Sequence, residues 1–337
     1  MPVVEPHRPA AAPLVSISVT TYQHAPFLAR CLDGILMQEC PFTYEVLLGE
    51  DDSDDGTRAI AQRYAQAHPD RIRLFLHRRD QMIHIDGRPT GRHNFLNNLR
   101  HATGRYLCHI DGDDAWTDPQ RLRIMVEKME AEPDLALAFH NAMNQWDDGR
   151  QEPYMDPALA RPRFTLEEIA TKNFIPTSGV IWRWNGLRDL PEAFRTAPFG
   201  DWGLNIHFAL HGAIGYVDRM MSVRHVHDGG VMSVMSGLRT CRGIALAYEV
   251  MHKQAGDRIG KAALDRWTMQ ITNGFETSIS RNEREMAAWF LKHSTSVPGS
   301  RIPIRLRARW WALLHAPGLM ALYGRLRSVA KESGRGA

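Results

Sequence analysis

Short apolar runs alternate with amphipathic segments from Leu14 to Ala131, and this alternation limits the fold more than any other feature. The apolar runs have the length of strands, and the segments between them carry apolar residues at helical spacing. This alternation predicts an α/β fold with a doubly wound, mostly parallel sheet, whose ligand binds where the strands end. The predicted strands are Val15–Thr20, Tyr44–Gly49, Arg71–Leu76 and Arg105–Ile110, and the predicted helices are Pro26–Gln38, Thr57–Ala67, His93–His101 and Asp118–Ala131.

The pattern divides the chain into four parts. Residues 1–13 are rich in Pro and Ala and are expected to form a flexible lead-in. Residues 14–140 carry the α/β alternation, and residues 141–236 follow with a polar, proline-bearing stretch and a looser pattern. Residues 237–337 are predicted to be an all-helical C-terminal region. Within 141–236 the predicted elements are a strand at Gly179–Trp182, a helix at Asp201–His211 and a strand at Ile214–Val217.

Composition excludes several classes of protein. A hydrophobic content of 44% with 23% charged residues is that of a globular protein. The net charge is +3, but seven of the 41 basic residues lie in Arg301–Lys331, and the other 34 are outnumbered by 38 acidic residues, so no nucleic-acid partner is expected. The four cysteines lack metal-ligand spacing and predict reduced thiols of a cytosolic protein. We expect neither a secretory signal nor a membrane-spanning helix.

An acidic loop follows the second predicted strand directly. Five of the six residues from Glu50 to Asp55 are carboxylates, which repel one another unless a polar or cationic group organises them. Ser53 or Asp55 can cap the next helix, but a cap needs only one such residue. Carboxylates at the end of a strand can accept hydrogen bonds from a nucleobase N–H and from ribose hydroxyls. The loop therefore predicts ligand binding at this edge of the sheet.

A second acidic loop, Asp111-Gly-Asp-Asp114, follows the apolar strand that ends at Ile110. Three carboxylates at the end of a buried strand are unfavourable unless they are paired or bind a metal ion. The glycine allows a turn that brings Asp111 and Asp113 to the same point. They would offer the oxygen ligands that Mg²⁺ or Mn²⁺ prefers.

Four motifs follow one another along the chain: Val15–Tyr22, Glu50–Thr57, Gly91–Phe95 and Ala102–Trp116. Together they resemble the family 2 glycosyltransferases of bacteria, and the resemblance covers roughly residues 14 to 236. It implies a GT-A-like fold, a nucleoside-diphosphate sugar as donor and inversion at the anomeric carbon. Residues 14–140 would then be the nucleotide-sugar-binding half and residues 141–236 the acceptor-side half.

The resemblance also implies roles for individual residues. Residues that would contact the donor nucleotide are Thr20, Tyr22, Glu50, Asp51 and Asp111. The family usually has Asp where this chain has Glu50, which is one methylene longer. Asp111 and Asp113 would bind Mn²⁺ or Mg²⁺, and His227 would complete the metal site, unless it is a packed loop histidine.

The segment Gly200-Asp-Trp202 resembles the family segment that carries the catalytic base. Asp201 would take the proton from the acceptor hydroxyl as that hydroxyl attacks C1 of the sugar. The alternative is that Asp201 only caps the following helix. Among the arginines between the third strand and Asp111, Arg92 is the predicted phosphate contact.

The predicted function is transfer of one hexosyl or related sugar to a glycan or lipid-linked acceptor, in polysaccharide biosynthesis for the cell envelope. Two alternatives stay open. A nucleotidyltransferase that makes sugar nucleotides would carry a Gly-rich basic loop after the first strand, which Thr20–Pro26 is not. A non-catalytic protein that binds sugar nucleotides would not need Asp111, Asp113 and Asp201 together.

The C-terminal segment Arg301–Lys331 mixes its seven basic residues with apolar ones and contains no Asp or Glu. Two short helices split at Pro317–Gly318 could lie in the headgroup region of an anionic leaflet. Alternatively, they could pack on the rest of the protein. The chain is expected to be cytoplasmic. If the C-terminal segment binds lipid headgroups, the protein would also contact the inner face of the cytoplasmic membrane peripherally.

Overall fold

A computed structural model describes residues 12–85, 87–184, 198–227, 237–299 and 302–316. The chain divides into two units, Met1–Val234 and Met235–Ala337. The lead-in up to residue 11, residues 228–236 and the segment after residue 316, including Pro317–Gly318, lie outside the described residues.

The first unit is built on a mixed sheet with the strand order β10-β12-β8-β11-β6-β1-β2-β3. In addition, β7 pairs with β12, β9 pairs with β8, and β4 and β5 form a separate hairpin. The strands are β1 (Val15–Thr21), β2 (Tyr44–Glu50), β3 (Ile72–Leu76), β4 (Ile83–Ile85), β5 (Arg88–Thr90), β6 (Tyr106–Asp111), β7 (Ala115–Trp116), β8 (Leu135–Trp146), β9 (Gln151–Pro153), β10 (Arg163–Phe164), β11 (Val180–Arg183) and β12 (Ala213–Val226).

Helices cover the sheet of the first unit and make up most of the described second unit. In the first unit they are α1 (Leu28–Leu36), α2 (Thr57–Ala67), α3 (Arg92–His101), α4 (Arg121–Ala131), α5 (Leu166–Thr171) and α6 (Gly200–Ala209). In the second unit they are α7 (Gly237–Ala255), α8 (Gly260–Ser280), α9 (Arg284–His293) and α10 (Ile304–His315).

The four strands β3, β2, β1 and β6 are parallel, as the alternation of strands and helices predicts. Their apolar side chains pack against α1 and α4, and Val15, Ile17 and Val19 of β1 are fully buried. The register pairs Thr20 with Asp111 and Thr21 with Glu50. The loops after β1, β2 and β6 therefore lie side by side at one edge, and the prediction of a GT-A-like α/β fold is confirmed.

The other half of the sheet is more mixed than predicted. β11 runs antiparallel between β6 and β8, whereas β8 and β12 are long and parallel to each other. β12 extends well beyond the predicted strand Ile214–Val217, and β8 crosses residue 140, where we placed the division between the two halves. Irregular pairing near Met220 lets β12 bend while it follows β8. That division remains a prediction.

The second unit is helical in its described part, in agreement with the all-helical region predicted after residue 236. Phe275 of α8 and Trp310 of α10 stack with ring centroids 4.5 Å apart, and Trp310 is almost fully buried. Arg284 at the start of α9 donates to the carbonyl oxygen of Leu314. None of the helices that the structure describes has the length and apolar character needed to cross a bilayer.

Candidate active site

Glu50 ends β2 and is completely buried. Its Oε2 accepts a hydrogen bond from Nε of Arg58 at 2.5 Å, and its Oε1 accepts one from the backbone N–H of Ser53 at 2.7 Å. Both carboxylate oxygens are thus engaged by the protein. The contact of Glu50 with a nucleobase remains a prediction, and the structure places this side chain inside the loop that it organises.

Asp51 is 2% exposed and lies between the ends of β1 and β2 and the start of α3. Its Oδ1 is buried and has no hydrogen-bond partner among the described residues. Burial raises the pKa of Asp51 to about 7, against the lowering effect of a hydrogen bond from Asn94. A buried carboxyl oxygen without a partner is unfavourable, so it is suited to accept a hydrogen bond from a ligand.

The acidic loop is tied to the loop after β1. Asp55 accepts hydrogen bonds from the N–H of Thr57 at 2.9 Å and from the N–H of Ala25 at 3.0 Å. The hydroxyl of Ser53 accepts from the N–H of Gln23 at 2.9 Å. Ser53 and Asp55 therefore satisfy backbone groups rather than face a ligand, which is the simpler role considered for them from the sequence.

Tyr22 directly follows β1 and is 37% exposed, and the guanidinium of Arg79 lies 4.1 Å from the centroid of its ring. The charge of Arg79 also lowers the pKa of Asp51. The sequence reasoning favoured Arg92 over Arg79 in this segment. Arg79 was missed because it lies in a 3₁₀ turn after β3, and only its proximity in the fold reveals the contact.

Asp111 ends β6 and accepts a hydrogen bond from the hydroxyl of Thr20 at 2.9 Å. His109, two residues earlier on the same face of the strand, has Nε2 3.5 Å from Oδ1 of Asp111. Burial raises the pKa of Asp111, but the hydrogen bonds and charge of His109 and the Thr20 hydroxyl lower it to about 2. Asp111 is therefore ionised, as a metal or hydroxyl ligand requires.

Asp113 faces two imidazoles. Nε2 of His227 lies 3.2 Å and Nε2 of His24 lies 3.7 Å from Oδ2 of Asp113. The neighbouring Asp114 is buried and accepts a hydrogen bond from the N–H of His225 at 3.2 Å. The ring of Phe27 packs against the rings of His225 and His227, with centroids 4.6 Å and 5.0 Å apart. The end of β12 is thereby held against the Asp111–Asp114 loop.

The side chains of Asp111, Asp113 and His227 offer the kinds of donor atom that a divalent metal ion binds. Asp111 and Asp113 supply carboxylate oxygens and His227 an imidazole nitrogen, and Mn²⁺ accepts both. In the described part of the chain, no three His, Cys, Asp or Glu side chains stand grouped so as to hold an ion. Binding an ion would therefore require side-chain rotation. Gly112 permits the tight packing here, because a β-carbon on it would lie 2.7 Å from Oγ1 of Thr21.

Asp201 lies in the first turn of α6, where its Oδ2 accepts hydrogen bonds from Nδ2 of Asn173 at 2.9 Å and from the hydroxyl of Thr177 at 3.4 Å. Burial, and to a smaller extent the charge of Asp111, raises the pKa of Asp201. Asp201 raises the pKa of Arg92 in turn, although burial lowers it to about 10. The structure therefore brings together Asp111, Asp201 and Arg92.

Three residues near Asp201 were missed by sequence reasoning. Asn173 and Thr177 come from the segment after α5, and Tyr154 comes from the segment after β9. Burial and the charges of Asp201 and Asp114 raise the pKa of Tyr154 to about 12. Nothing in the sequence around these three residues distinguishes them from ordinary loop residues, because their position depends on how the long connections run.

Comparisons with known proteins identify what this chain is similar to. The profile of a family described as "Glycosyl transferase family 2" matches residues 16–182. An uncharacterized protein of Mycobacterium tuberculosis is 30% identical over 218 residues, which are 64% of this chain and 60% of that protein. The chain therefore spans about 60% of the length of the first curated relatives that it matches.

Two solved structures share the fold. TarS 1-349 of S. aureus, in complex with UDP-GlcNAc, has a TM-score of 0.61 at 17% identity, over 84% of this chain and 81% of that one. The mannosyltransferase PcManGT from Pyrobaculum calidifontis, in complex with GDP-Man and Mn²⁺, has a TM-score of 0.55 at 20% identity, over 98% of this chain and 87% of that one.

Proposed function

Because the chain belongs to glycosyltransferase family 2, we propose that it transfers a sugar from a nucleoside-diphosphate sugar to an acceptor hydroxyl. The start of α3 carries the proposal. A β-carbon on Gly91 would lie 3.7 Å from Oδ2 of Asp51, and the next residue, Arg92, packs against Gly200 beside Asp201. One turn of helix thus links the proposed nucleotide contact to the proposed base.

Asp51 is the proposed nucleobase contact. Its buried Oδ1 is an acceptor without a donor, so it favours a base with a ring N–H on its pairing edge. Uracil and guanine have such a ring N–H, whereas the corresponding ring nitrogen of adenine and cytosine only accepts and their donors are exocyclic amino groups. The nucleotides named for the two solved structures, UDP-GlcNAc and GDP-Man, both meet this requirement. Tyr22 and Thr20 are the proposed neighbours of the nucleoside.

The proposed metal site consists of Asp111, Asp113 and His227, with Mn²⁺ or Mg²⁺ as the ion. A bound ion would neutralise charge that develops on the leaving diphosphate. The Mn²⁺ named for PcManGT supports a divalent ion here. Arg92, almost fully buried at the start of α3, is the proposed cationic contact with the phosphates.

Asp201 is the proposed general base in an inverting, single displacement. Its Oδ2 is held by Asn173 and Thr177, which orients the carboxylate. Burial raises its pKa, and a more basic carboxylate accepts a proton from an attacking hydroxyl more readily. The acceptor oxygen bonds to C1, the bond from C1 to the diphosphate oxygen breaks, and the hydroxyl proton moves to Asp201.

Helix α10 is the proposed contact with an anionic membrane surface, and through it the protein would bind that surface peripherally. Ile304 is 73% exposed and Trp311 is 56% exposed, and they lie seven residues apart on one face of the helix. Arg305 and Arg309 are exposed next to them. An apolar face with flanking arginines suits the headgroup region of anionic lipids, and a lipid-linked acceptor of a surface glycan would reside there.

Donor binding and hydrolysis test the proposed function. We expect a nucleoside-diphosphate sugar with uracil or guanine to raise the melting temperature in the presence of Mn²⁺ and to be hydrolysed slowly without acceptor. Excess chelator should prevent hydrolysis. Synthesis of a sugar nucleotide from a nucleoside triphosphate would favour the nucleotidyltransferase instead, and binding without any hydrolysis or transfer would favour a non-catalytic protein.

A further inference from the structure

His24 is a second imidazole beside Asp113, and the proposed metal site does not yet include it. It lies in the turn between β1 and α1. The side chains of His24 and Asp113 are each 17% exposed. The same carboxylate oxygen, Oδ2 of Asp113, is approached by His227 at 3.2 Å and by His24 at 3.7 Å. Two imidazoles from opposite ends of the first unit's sequence thus converge on one oxygen.

Hydrogen bonding does not account for the position of the His24 ring. A separation of 3.7 Å is too long for a hydrogen bond to Asp113. The other ring nitrogen, Nδ1, is buried and has no partner among the described residues. Two atoms that each lie about 2.1 Å from one metal ion are about 3.0 to 3.5 Å apart. The 3.2 Å distance from Asp113 to His227 lies within that range, and the 3.7 Å distance to His24 lies slightly beyond it.

The backbone of His24 is fixed, so only its side chain has to move. Its N–H donates to Oγ1 of Thr57 at 2.8 Å, and its carbonyl oxygen accepts from the N–H groups of Phe27 and Leu28 at 2.9 and 2.8 Å. Gly112 leaves room for the ring, because a β-carbon on that residue would lie 3.0 Å from Nδ1. A rotation about the side-chain bonds of His24 is enough to bring a ring nitrogen towards an ion held by Asp113.

We propose that His24 is a further ligand of the divalent ion, so that the site has two imidazole nitrogens besides its carboxylates. Magnesium strongly prefers oxygen ligands, whereas manganese accepts imidazole more readily. The site would therefore select Mn²⁺ over Mg²⁺. This inference rests on the proposed function, since it extends the metal site that binds the donor diphosphate.

Measuring the metal affinity tests directly whether His24 is a ligand, and the measurement does not require the protein to turn over a substrate. We would titrate Mn²⁺ and Mg²⁺ into the full chain in the presence of UDP or GDP, for the wild type, His24→Ala, His24→Asn and His68→Ala. His68 follows the last residue of α2 and has no place in the proposed site, so it is the matched control. Removal of one ligand should weaken Mn²⁺ binding by about 10-fold or more. His24→Asn, which substitutes an amide oxygen, should lower the preference for Mn²⁺ over Mg²⁺.

Pulsed electron paramagnetic resonance gives a second readout. Electron spin-echo envelope modulation of bound Mn²⁺ reports the nitrogen nuclei that coordinate it. We expect coupling from two imidazoles in the wild type and in His68→Ala, and from one in His24→Ala. A melting temperature measured in chelator shows whether each variant is folded.

The outcomes separate this inference from the proposed function. Unchanged Mn²⁺ affinity, metal preference and nitrogen coupling in folded His24→Ala would overturn the role of His24, while donor hydrolysis by the wild type would leave the proposed function standing. If the wild type hydrolyses the donor in excess chelator, both the metal site and His24 as its ligand are wrong.

Discussion

Arg92 packs its guanidinium directly on the α-carbon of Gly200. A β-carbon on residue 200 would lie 2.7 Å from Nη2 of Arg92, which is closer than two such atoms can approach. The contact joins the first residue of α3 to the first residue of α6, which are 108 positions apart in the sequence. It fixes the buried cation beside Asp201, and any side chain at position 200 must displace it.

We expect Gly200→Ala to reduce turnover and to destabilise the protein by about 1–3 kcal/mol, because the new methyl group overpacks the site. Gly200 does not have a positive φ, and helix propensity alone would make alanine more stable by about 1 kcal/mol. A net loss of stability would therefore come from the contact with Arg92. Gly237→Ala, whose β-carbon meets open space at the start of α7, is the control for denaturant unfolding.

Asp201→Asn should keep donor binding and lower turnover by about 100-fold or more, as the loss of a general base does. The pKa of Asp201 is raised, so the wild-type rate should fall as the pH drops through a range above that of an ordinary aspartate. The variant should lack this acid limb. Near-normal turnover of Asp201→Asn would place the base elsewhere, with Asp228, outside the described residues, as the next candidate.

Asp51→Asn should make the protein more stable and its donor binding weaker. The pKa of Asp51 in the folded state is raised to about 7, so ionising it above that pH opposes folding. The wild type therefore loses stability as the pH rises from about 4, where the unfolded chain ionises, to about 7, and the variant does not. We expect a gain of about 2–4 kcal/mol at pH 8 that vanishes towards pH 4.

Calorimetric titration of Asp51→Asn with UDP and GDP tests the predicted weakening of nucleotide binding. Affinity measured at pH 8, where Asp51 is ionised, should fall by about 10-fold or more, because the amide no longer offers a charged acceptor to the base N–H. Wild-type protein should bind ADP and CDP weakly. Equal affinity of the wild type for all four diphosphates would contradict the role of Asp51 in base selection.

Asp113→Ala should abolish transfer and remove metal-dependent donor binding, with little change in stability. A cluster of carboxylates without an ion opposes folding, so losing one of them is tolerated. Unfolding in urea and donor titration with and without Mn²⁺ give the two measurements. Asp70→Ala, at a side chain that is 74% exposed, should behave as wild type in both.

Vesicle co-sedimentation tests the membrane proposal for α10. Truncation at Gly299 would remove Trp310 and leave Phe275 without its stacking partner, so point substitutions on the exposed face are better. Ile304→Ser with Trp311→Ser should reduce binding to anionic vesicles, and Arg305→Gln with Arg309→Gln should reduce it by about 1 kcal/mol for each charge. Leu159→Ser, also at an exposed apolar residue, is the control. Equal binding by all variants would leave α10 a purely structural helix.

The parallel part of the sheet was predictable because its strands are continuous apolar runs, such as Val15–Thr21 and Tyr106–Asp111. β8 was not among the predicted strands, and after Phe139 buried polar residues interrupt its apolar pattern. Asn141 shows why they are tolerated. Its Nδ2 donates to the carbonyl oxygen of Met155 at 2.7 Å, and its Oδ1 accepts from the N–H of Met155 at 2.9 Å. A local pattern cannot reveal a hydrogen-bond partner supplied by a distant loop.

At the candidate site, too, residues that follow strands could be predicted from the sequence, whereas residues supplied by distant loops could not. Asp51, Asp111 and Asp113 follow strands directly, so their meeting at one edge could be inferred from the order of the strands. Arg79 and Asn173 reach the site through turns and long connections whose paths no residue pattern specifies. The sequence therefore indicated the acidic side chains, Thr20 and Arg92, but it missed Arg79 and Asn173.

The engagement of Glu50 by Arg58 and Ser53 has a consequence for the thermodynamics of donor binding. Arg58 also donates to the carbonyl oxygen of His77, which ties the acidic loop to the chain that follows β3. The loop is therefore preorganised before a nucleotide arrives, and little conformational entropy is lost when it binds. Nucleotide affinity should consequently depend on Arg58, a residue with no place in the proposed chemistry, because it keeps this loop rigid.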